Sequence, residues 1–319
     1  MKRAMIVLAL IAVAISLPLF WPTPLAWRLD QETARFILFQ IRLPMLFTAV
    51  FAGGILAGGG MAFQALFRNP LATPYTLGIS AGAAFGAVSW LVLKGGGPSG
   101  VVLPIAAFAG ALLSTGAVLV FTARKRYLSS NIVLLAGVAV NFLFSSVIMF
   151  LQYLAGEYEV FRVTRWLLGG LSGSDMIAVA FTGGGFLLML MVLMAYGPAL
   201  DLVLLGDDLA TTRGLDLRRF KKRLILLVSI AVAVTIAFTG PIGFVGIIVP
   251  HMVRMGNPYR HRTLIPLTMA AGGLLLAVCD TIGRTILYPV TVPTGVITAM
   301  VGAPFFLWLL ARLPNGPER

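Results

Sequence analysis

The sequence predicts an all-α polytopic membrane protein with about ten transmembrane helices of roughly 20 residues each. Hydrophobic residues make up 59% of the 319 residues and charged residues only 11%, whereas a soluble globular domain is roughly half apolar and about a quarter charged. The few charged residues are also clustered, which leaves long uncharged stretches between them. Because the strands of a membrane barrel would alternate in polarity, these continuous apolar stretches indicate helices.

The stretches that contain no Asp, Glu, Lys or Arg delimit the predicted spans. They are residues 4–27, 43–67, 69–93, 95–123, 127–156, 176–200, 224–253, 263–279 and 285–311. The first follows Lys2 and Arg3 and resembles a signal peptide. However, Pro18, Trp21 and Pro22 stand where a small-residue cleavage site would be expected, so we predict an uncleaved first span.

The stretch 224–253 is too long for one straight span and too short for two full ones, and Gly240-Pro241-Ile242-Gly243 interrupts it. If the chain turns there and returns as a short helix, the basic residues before and after the stretch lie on the same side. The positive-inside rule favours this arrangement. It places both termini and most of the 24 Lys and Arg residues in the cytoplasm.

Composition also limits the function. The net charge of +13 is accounted for by basic loops, so we predict contact with membrane lipid and no nucleic-acid partner. The single Cys279 cannot form an internal disulfide or a cysteine metal cluster, and His251 and His261 form no zinc motif. Asp175 and Asp280 lie only near the outer ends of predicted spans, so we find no obvious coupling acid for an ion-driven carrier.

The chain has no Walker A pattern and no catalytic constellation. We therefore predict that it is not an enzyme, that it binds no metal or cofactor, and that any energy for uphill transport comes from a partner. An ion-coupled secondary transporter is the alternative.

A charged segment, GDDLATTRGLDLRRFKKR at 206–223, stands out in this apolar chain. Asp207 and Asp208 favour a helix N-terminus, Gly214 favours a helix end, and Asp216 can cap the following helix. The segment is therefore predicted to form a short cytoplasmic helix. Two interpretations stay open: a solvated loop with stop-transfer charges, or a helix that docks onto a soluble partner.

Glycines also recur at intervals of four, at Gly54 and Gly58 and again at Gly78, Gly82 and Gly86. Small residues at this interval allow helices to approach closely, and helix packing is the predicted role.

Several motifs occur in a fixed order along the chain. They are RLP at 42–44, MAFQALFRNPLATPYTLGISAGAAFGA at 61–87, LLAGVAVN at 134–141, GPIGFVGIIVPHMVR at 240–254 and GAPFFLWLL at 302–310. Together with the charged segment, they make nearly the whole chain resemble the FecCD family of bacterial ABC importer permeases, which carry iron–siderophores, haem and cobalamin.

The resemblance implies a type II ABC importer permease fold in a single transmembrane domain, 1–319, with a cytoplasmic coupling loop at about 205–220. It implies a homodimer in the bacterial inner (cytoplasmic) membrane, with the translocation path along the dimer interface. Two cytoplasmic ABC ATPase subunits would bind ATP and Mg. An extracytoplasmic substrate-binding protein would deliver a metal chelate.

Residue roles follow from the resemblance by position. The predicted ATPase-coupling residues are Gly206, Asp207, Asp208, Leu209, Ala210, Arg213 and Gly214. The predicted docking residues for the binding protein are Arg42 and Arg284, and the predicted gate and pathway residues are Ser80, Ala81, Asn141 and Ser145. Two positions depart from the family pattern: Met45 replaces the second Arg of the R-x-P-R motif, and Val292 stands where a Glu is frequent.

Overall fold

The computed structural model describes residues 30–94, 100–123, 130–256 and 260–311. Within these ranges every regular element is helical, which confirms the predicted all-α class. The predicted first span and both termini lie outside the described residues. The helices are α1 Gln31–Phe36, α2 Leu43–Phe67, α3 Ile79–Leu93, α4 Val102–Ala123, α5 Ser130–Leu154, α6 Glu157–Leu167, α7 Met176–Leu204, α8 Asp207–Thr212, α9 Leu217–Thr239, α10 Val245–Gly256, α11 His261–Thr285 and α12 Thr294–Ala311.

Two short segments complete the helical pattern. A π-helical segment, Ile37–Arg42, joins α1 to α2, and a 3-10 helix, Pro74–Leu77, precedes α3. In the described part of the chain, six helical stretches are long and apolar enough to cross a membrane. Three further apolar helices are shorter, namely Ile79–Leu93, Val245–Met255 and Thr294–Trp308. The predicted total of about ten spans is therefore approximate.

Two of the short helices begin later than the uncharged stretches suggested. The stretch 69–93 becomes helical as α3 only at Ile79, and the stretch 285–311 becomes helical as α12 only at Thr294. Proline and glycine explain the difference, because Pro70, Pro74 and Gly78 precede α3 and Pro289 and Pro293 precede α12. Proline lacks a backbone donor and, with glycine, favours turns over helix interiors.

Helix α2 lies at the centre of the fold and packs against α7, α9, α10 and α11. Its glycines permit this contact, since a Cβ on Gly53 would overlap the carbonyl group of Gly272. A Cβ on Gly82 would likewise meet the carbonyl oxygen of Gly110, and one on Gly86 that of Ala106. These contacts confirm close helix packing at Gly82 and Gly86.

The chain turns back at the predicted break. Helix α9 ends at Thr239, residues 240–244 are not helical, and α10 begins at Val245. Arg254 of α10 donates a hydrogen bond to Gln64, near the end of α2. Lys221, in the second turn of α9, and Arg68, just after α2, both contact Asp207. The two basic clusters therefore lie at the same end of α2, as predicted.

Candidate functional site

The charged segment 206–223 forms the predicted short helix, α8, followed by the start of α9. Gly206 precedes α8 with φ +124°, and Gly214 follows it with φ +83°, both in the region that glycine favours. The Asp216 side chain caps α9 by accepting a hydrogen bond from the Arg219 amide at 3.0 Å. The sequence thus determines both ends of α8 locally.

Asp207 attaches α8 to α9 and to the residue that follows α2. Its Oδ1 lies 3.2 Å from Nη2 of Arg68, and its Oδ2 lies 2.9 Å from Nζ of Lys221. The Lys221 side chain is only 3% exposed, and a buried ammonium group requires a compensating partner. Ala210, on the same helix, is fully buried. Ala210 therefore faces the protein interior, and the half-buried Asp207 holds α8 in place through its two ion pairs.

The other predicted coupling residues of α8 and its C-terminal end point outward. Asp208, Leu209, Arg213 and Gly214 are exposed, with Leu209 at 52%. Leu204 and Leu205, just before α8, are exposed as well. This mixture of apolar and charged side chains, supported from beneath by Asp207, forms a surface that a soluble protein could contact. We call the exposed residues Asp208, Leu209, Arg213 and Gly214 the coupling surface.

A cavity of about 380 Å³, here the inner cavity, lies between the 3-10 helix, α2, α5, the 240–244 break and α10. Tyr75 holds two of its walls together. Its hydroxyl donates a hydrogen bond to the carbonyl oxygen of Ile242 and accepts one from the Ile242 amide, each at 2.8 Å. Asn141 of α5 donates to the carbonyl oxygen of Tyr75 at 3.3 Å. Non-helical backbone within the apolar fold is thereby hydrogen-bonded, as membrane burial requires.

Among the predicted gate and pathway residues, only Asn141 lines this cavity. Ser80 and Ala81 lie half-buried in the first turn of α3, just beyond the 3-10 helix. Ser145 is exposed one turn beyond Asn141 on α5. Sequence reasoning missed Tyr75, although it stands within the quoted 61–87 motif. Its role depends on a partner that is distant in sequence.

A second cavity of about 550 Å³, the outer cavity, lies beside α6 and the loop that follows it. Arg162 and Arg165 of α6 contribute to its lining. Thr239 and Gly240 line this cavity, whereas Ile242, Gly243 and Phe244 line the inner one. The two cavities therefore border successive parts of the same chain segment.

Of the two predicted docking arginines, Arg42 ends the π-helical segment that precedes α2, and Arg284 lies in the last turn of α11. Arg284, however, pairs within the chain. Its Nη2 lies 2.5 Å from Oδ2 of Asp280, and its Nη1 donates to the sulfur of Met45 at 4.0 Å. Thr294 donates to the other Asp280 oxygen at 3.0 Å. Asp280 thus links the end of α11 to the start of α12, and it engages Arg284.

Comparison with known proteins agrees with this arrangement. The family model of the FecCD transport family matches residues 3–312. The cobalamin import system permease protein BtuC of Halobacterium salinarum is 38% identical over 303 residues, which cover 94% of this chain and 78% of that protein. The Fe(3+) dicitrate transport system permease protein FecD of Escherichia coli is 35% identical, over 98% of this chain and all of that protein.

A solved structure is also similar over nearly the full length. It is an inward-facing conformation of a metal-chelate type ABC transporter, with a TM-score of 0.87 and 27% sequence identity, and the match covers 98% of this chain and 99% of that one. The fold, the order of the motifs and the match over residues 3–312 lead to one conclusion: the chain belongs to the FecCD transport family.

Proposed function

We propose that this chain is the permease subunit of an ATP-driven importer for a metal chelate. Two copies form a homodimer in the bacterial cytoplasmic membrane, with both termini in the cytoplasm. Two cytoplasmic ABC ATPase subunits bind ATP and Mg, and an extracytoplasmic binding protein delivers the cargo. Family membership and the names of the relatives, which include cobalamin and Fe(3+) dicitrate permeases, support this proposal.

The observation that carries the proposal is the two-sided construction of α8. Its outward side is the coupling surface, and its inward side is joined through Asp207 to Arg68, after α2, and to Lys221 of α9. A force applied to the coupling surface is therefore transmitted to the central helix α2 and to the helix that leads into the 240–244 break. Both helices border the cavities that would form the path.

The inner cavity supports a path shared between two copies. Ligand sites that enclose a drug-sized molecule measure roughly 300–1,000 Å³. The inner cavity, at about 380 Å³, is at the low end of that range for a bulky chelate. Ser145 and Ser146 are exposed on α5 near Asn141, beside Phe142 and Met149. A second copy facing α5 would enlarge the path and would give these hydroxyl groups an environment other than lipid.

The test is ATP hydrolysis by the ATPase subunit copurified with this chain in lipid nanodiscs, with and without the binding protein. The variant replaces Asp208, Leu209 and Arg213 together by Ala. The matched control is Lys222→Ala, which removes an exposed charge from α9, outside the coupling surface. We expect the binding protein to stimulate hydrolysis in the wild type and in the control, but not in the triple variant.

Unchanged stimulation in the triple variant, with correct folding shown by size-exclusion chromatography, would contradict the coupling role of α8. Cargo uptake that proceeds without any ATPase and stops when a protonophore is added would instead establish the ion-coupled secondary transporter.

A further inference from the structure

The end of α2 connects α8 to the wall of the inner cavity. Gly60, Gln64 and Arg68 follow one another at intervals of four, and residues four apart lie on the same side of an α-helix. Arg68 pairs with Asp207 of α8. Gly60 and Gln64 instead contact Gly246 of α10, which lines the inner cavity. We call Gly60, Gln64 and Arg68 the α2 junction.

Gln64 is the buried polar residue of the α2 junction, at only 3% exposure. Its Nε2 donates a hydrogen bond to the carbonyl oxygen of Gly246 at 3.0 Å, and its Oε1 accepts one from the guanidinium of Arg254. Arg254 also donates through Nε to the carbonyl oxygen of Pro250 at 3.0 Å. Because a buried amide needs hydrogen-bond partners, Gln64 attaches α2 to α10 at two different turns.

Strained backbone occurs at both ends of this connection. In the described part of the chain, Arg68 with φ +49° and Phe244 with φ +67° are the residues other than glycine whose φ is positive. This conformation is costly for a residue with a Cβ. Arg68 ends α2 beside α8, and Phe244 stands in the 240–244 break and lines the inner cavity. Such residues persist where the surrounding structure holds them, and they cluster in segments that switch conformation.

We propose that the α2 junction transmits movement of α8 to the 240–244 break. Arg68 receives the movement, and Gln64 passes it to α10. The inference rests on the proposed importer function and deepens it by naming these two positioning residues. A displacement of α8 moves Arg68 through their ion pair, and the last turn of α2 moves with it. Gln64 then shifts α10, whose first turn borders both the break and the inner cavity.

A second route also leads from α8 to the break. Asp207 pairs with Lys221, and α9 continues from there to Thr239, where the break begins. The backbone of Arg68 favours the route through α2. Glycine is the usual residue in a left-handed conformation at a helix end, so an arginine at this position is retained at a cost. Its ion pair with Asp207 offsets that cost and gives the side chain its role.

The experiment is hydrogen–deuterium exchange, measured by mass spectrometry on the permease–ATPase complex in lipid nanodiscs. Exchange is compared with and without a non-hydrolysable ATP analogue. The variants are Gln64→Leu, Arg68→Gly and Arg68→Lys. The matched control is Gln152→Leu, at a half-buried glutamine of α5 outside the α2 junction. In the wild type and the control, we expect the analogue to change exchange both in α8 and in residues 240–247.

Gln64→Leu and Arg68→Gly are expected to keep the change in α8 and to lose the change in residues 240–247. Arg68→Lys keeps a cation opposite Asp207 and should retain the change in both segments. A role confined to ending the helix predicts the opposite order for the two Arg68 variants, because glycine suits the left-handed backbone better than lysine. For the same reason Arg68→Gly is expected to fold, so its loss of the change cannot be attributed to unfolding.

Two results would overturn the proposal. The first is a change in residues 240–247 that is as large in Gln64→Leu and Arg68→Gly as in the wild type, which would assign the transmission to α9. The second is retention of the change in Arg68→Gly together with its loss in Arg68→Lys. A wild-type complex in which the analogue changes exchange in α8 but not in residues 240–247 would also refute transmission to the break.

Failure of this inference is distinguishable from failure of the proposed function. If the binding protein stimulates ATP hydrolysis in the wild type and not in the coupling-surface variant, the importer function stands, even where the α2 junction variants transmit normally. If no ATPase copurifies with the wild-type chain, both proposals fail, because the inference depends on movement of α8 that ATP drives.

Discussion

The carboxylate of Asp207 lies 2.9 Å from the ammonium group of Lys221, whose side chain is only 3% exposed. This contact gives Asp207 a different role from its neighbour Asp208, although the two acids are adjacent and both stand at the start of α8. Asp207 satisfies a buried cation, whereas Asp208 is exposed. Replacing each of them in turn therefore separates the positioning of α8 from its contact with a partner.

Asp207→Ala is expected to destabilise the protein by about 1–3 kcal/mol, because it leaves the buried Lys221 without its partner. Asp208→Ala, the matched control, is expected to change stability by less than about 0.5 kcal/mol, as is typical of exposed positions. Thermal unfolding can be followed with a thiol-reactive dye, since Cys279 is the single cysteine and is buried. Equal unfolding temperatures for the two variants would contradict the positioning role.

The sequence predicted those elements whose position is set by residues close together in the chain. Charge-free stretches located the spans, and glycines and aspartates at 206–216 located α8 and the start of α9. It did not predict which coupling residues contact the rest of the protein, because that depends on tertiary contacts: Asp207 pairs with Arg68, which is 139 residues away, and with the buried Lys221 of α9. The engagement of Arg284 by Asp280 could have been suspected from their spacing of four, but its burial depends on Thr294 and Met45. Contacts between distant segments decide such roles.

The two hydrogen bonds of Tyr75 are expected to stabilise the 240–244 break. Tyr75→Phe removes the hydroxyl and leaves both the amide and the carbonyl of Ile242, which is 1% exposed, without this partner. We expect a loss of about 1–3 kcal/mol and faster hydrogen exchange at the Ile242 amide, measured by mass spectrometry. Tyr153→Phe, at a residue that is 85% exposed, is the control. Unchanged exchange at Ile242 in Tyr75→Phe would show that the hydroxyl does not hold the break.

Close packing between α2 and α10 depends on Gly60. A Cβ at this position would overlap the carbonyl group of Gly246, so Gly60→Ala is expected to cost about 1–3 kcal/mol through overpacking. Gly184→Ala in α7 is the matched control, because a Cβ there would meet no atom within 4 Å. That substitution is expected to be neutral or slightly stabilising, since alanine favours helices. Thermal unfolding, followed with the thiol-reactive dye at Cys279, measures the stability of both variants. A Gly60→Ala protein as stable as the Gly184→Ala protein would refute the tight contact.

The last prediction concerns whether Asp280 has a structural role or couples transport to protons. It is buried in α11, but Arg284 and Thr294 engage both of its oxygens, whereas a coupling acid must exchange its proton during transport. Asp280→Asn removes the charge opposite the partly buried Arg284 and is expected to cost about 1–3 kcal/mol. Uptake per folded molecule, measured at several pH values, should keep its wild-type pH dependence, as should the exposed control Glu157→Gln. An Asp280→Asn protein of wild-type stability whose uptake no longer depends on a proton gradient would instead make Asp280 the coupling acid of an ion-driven carrier.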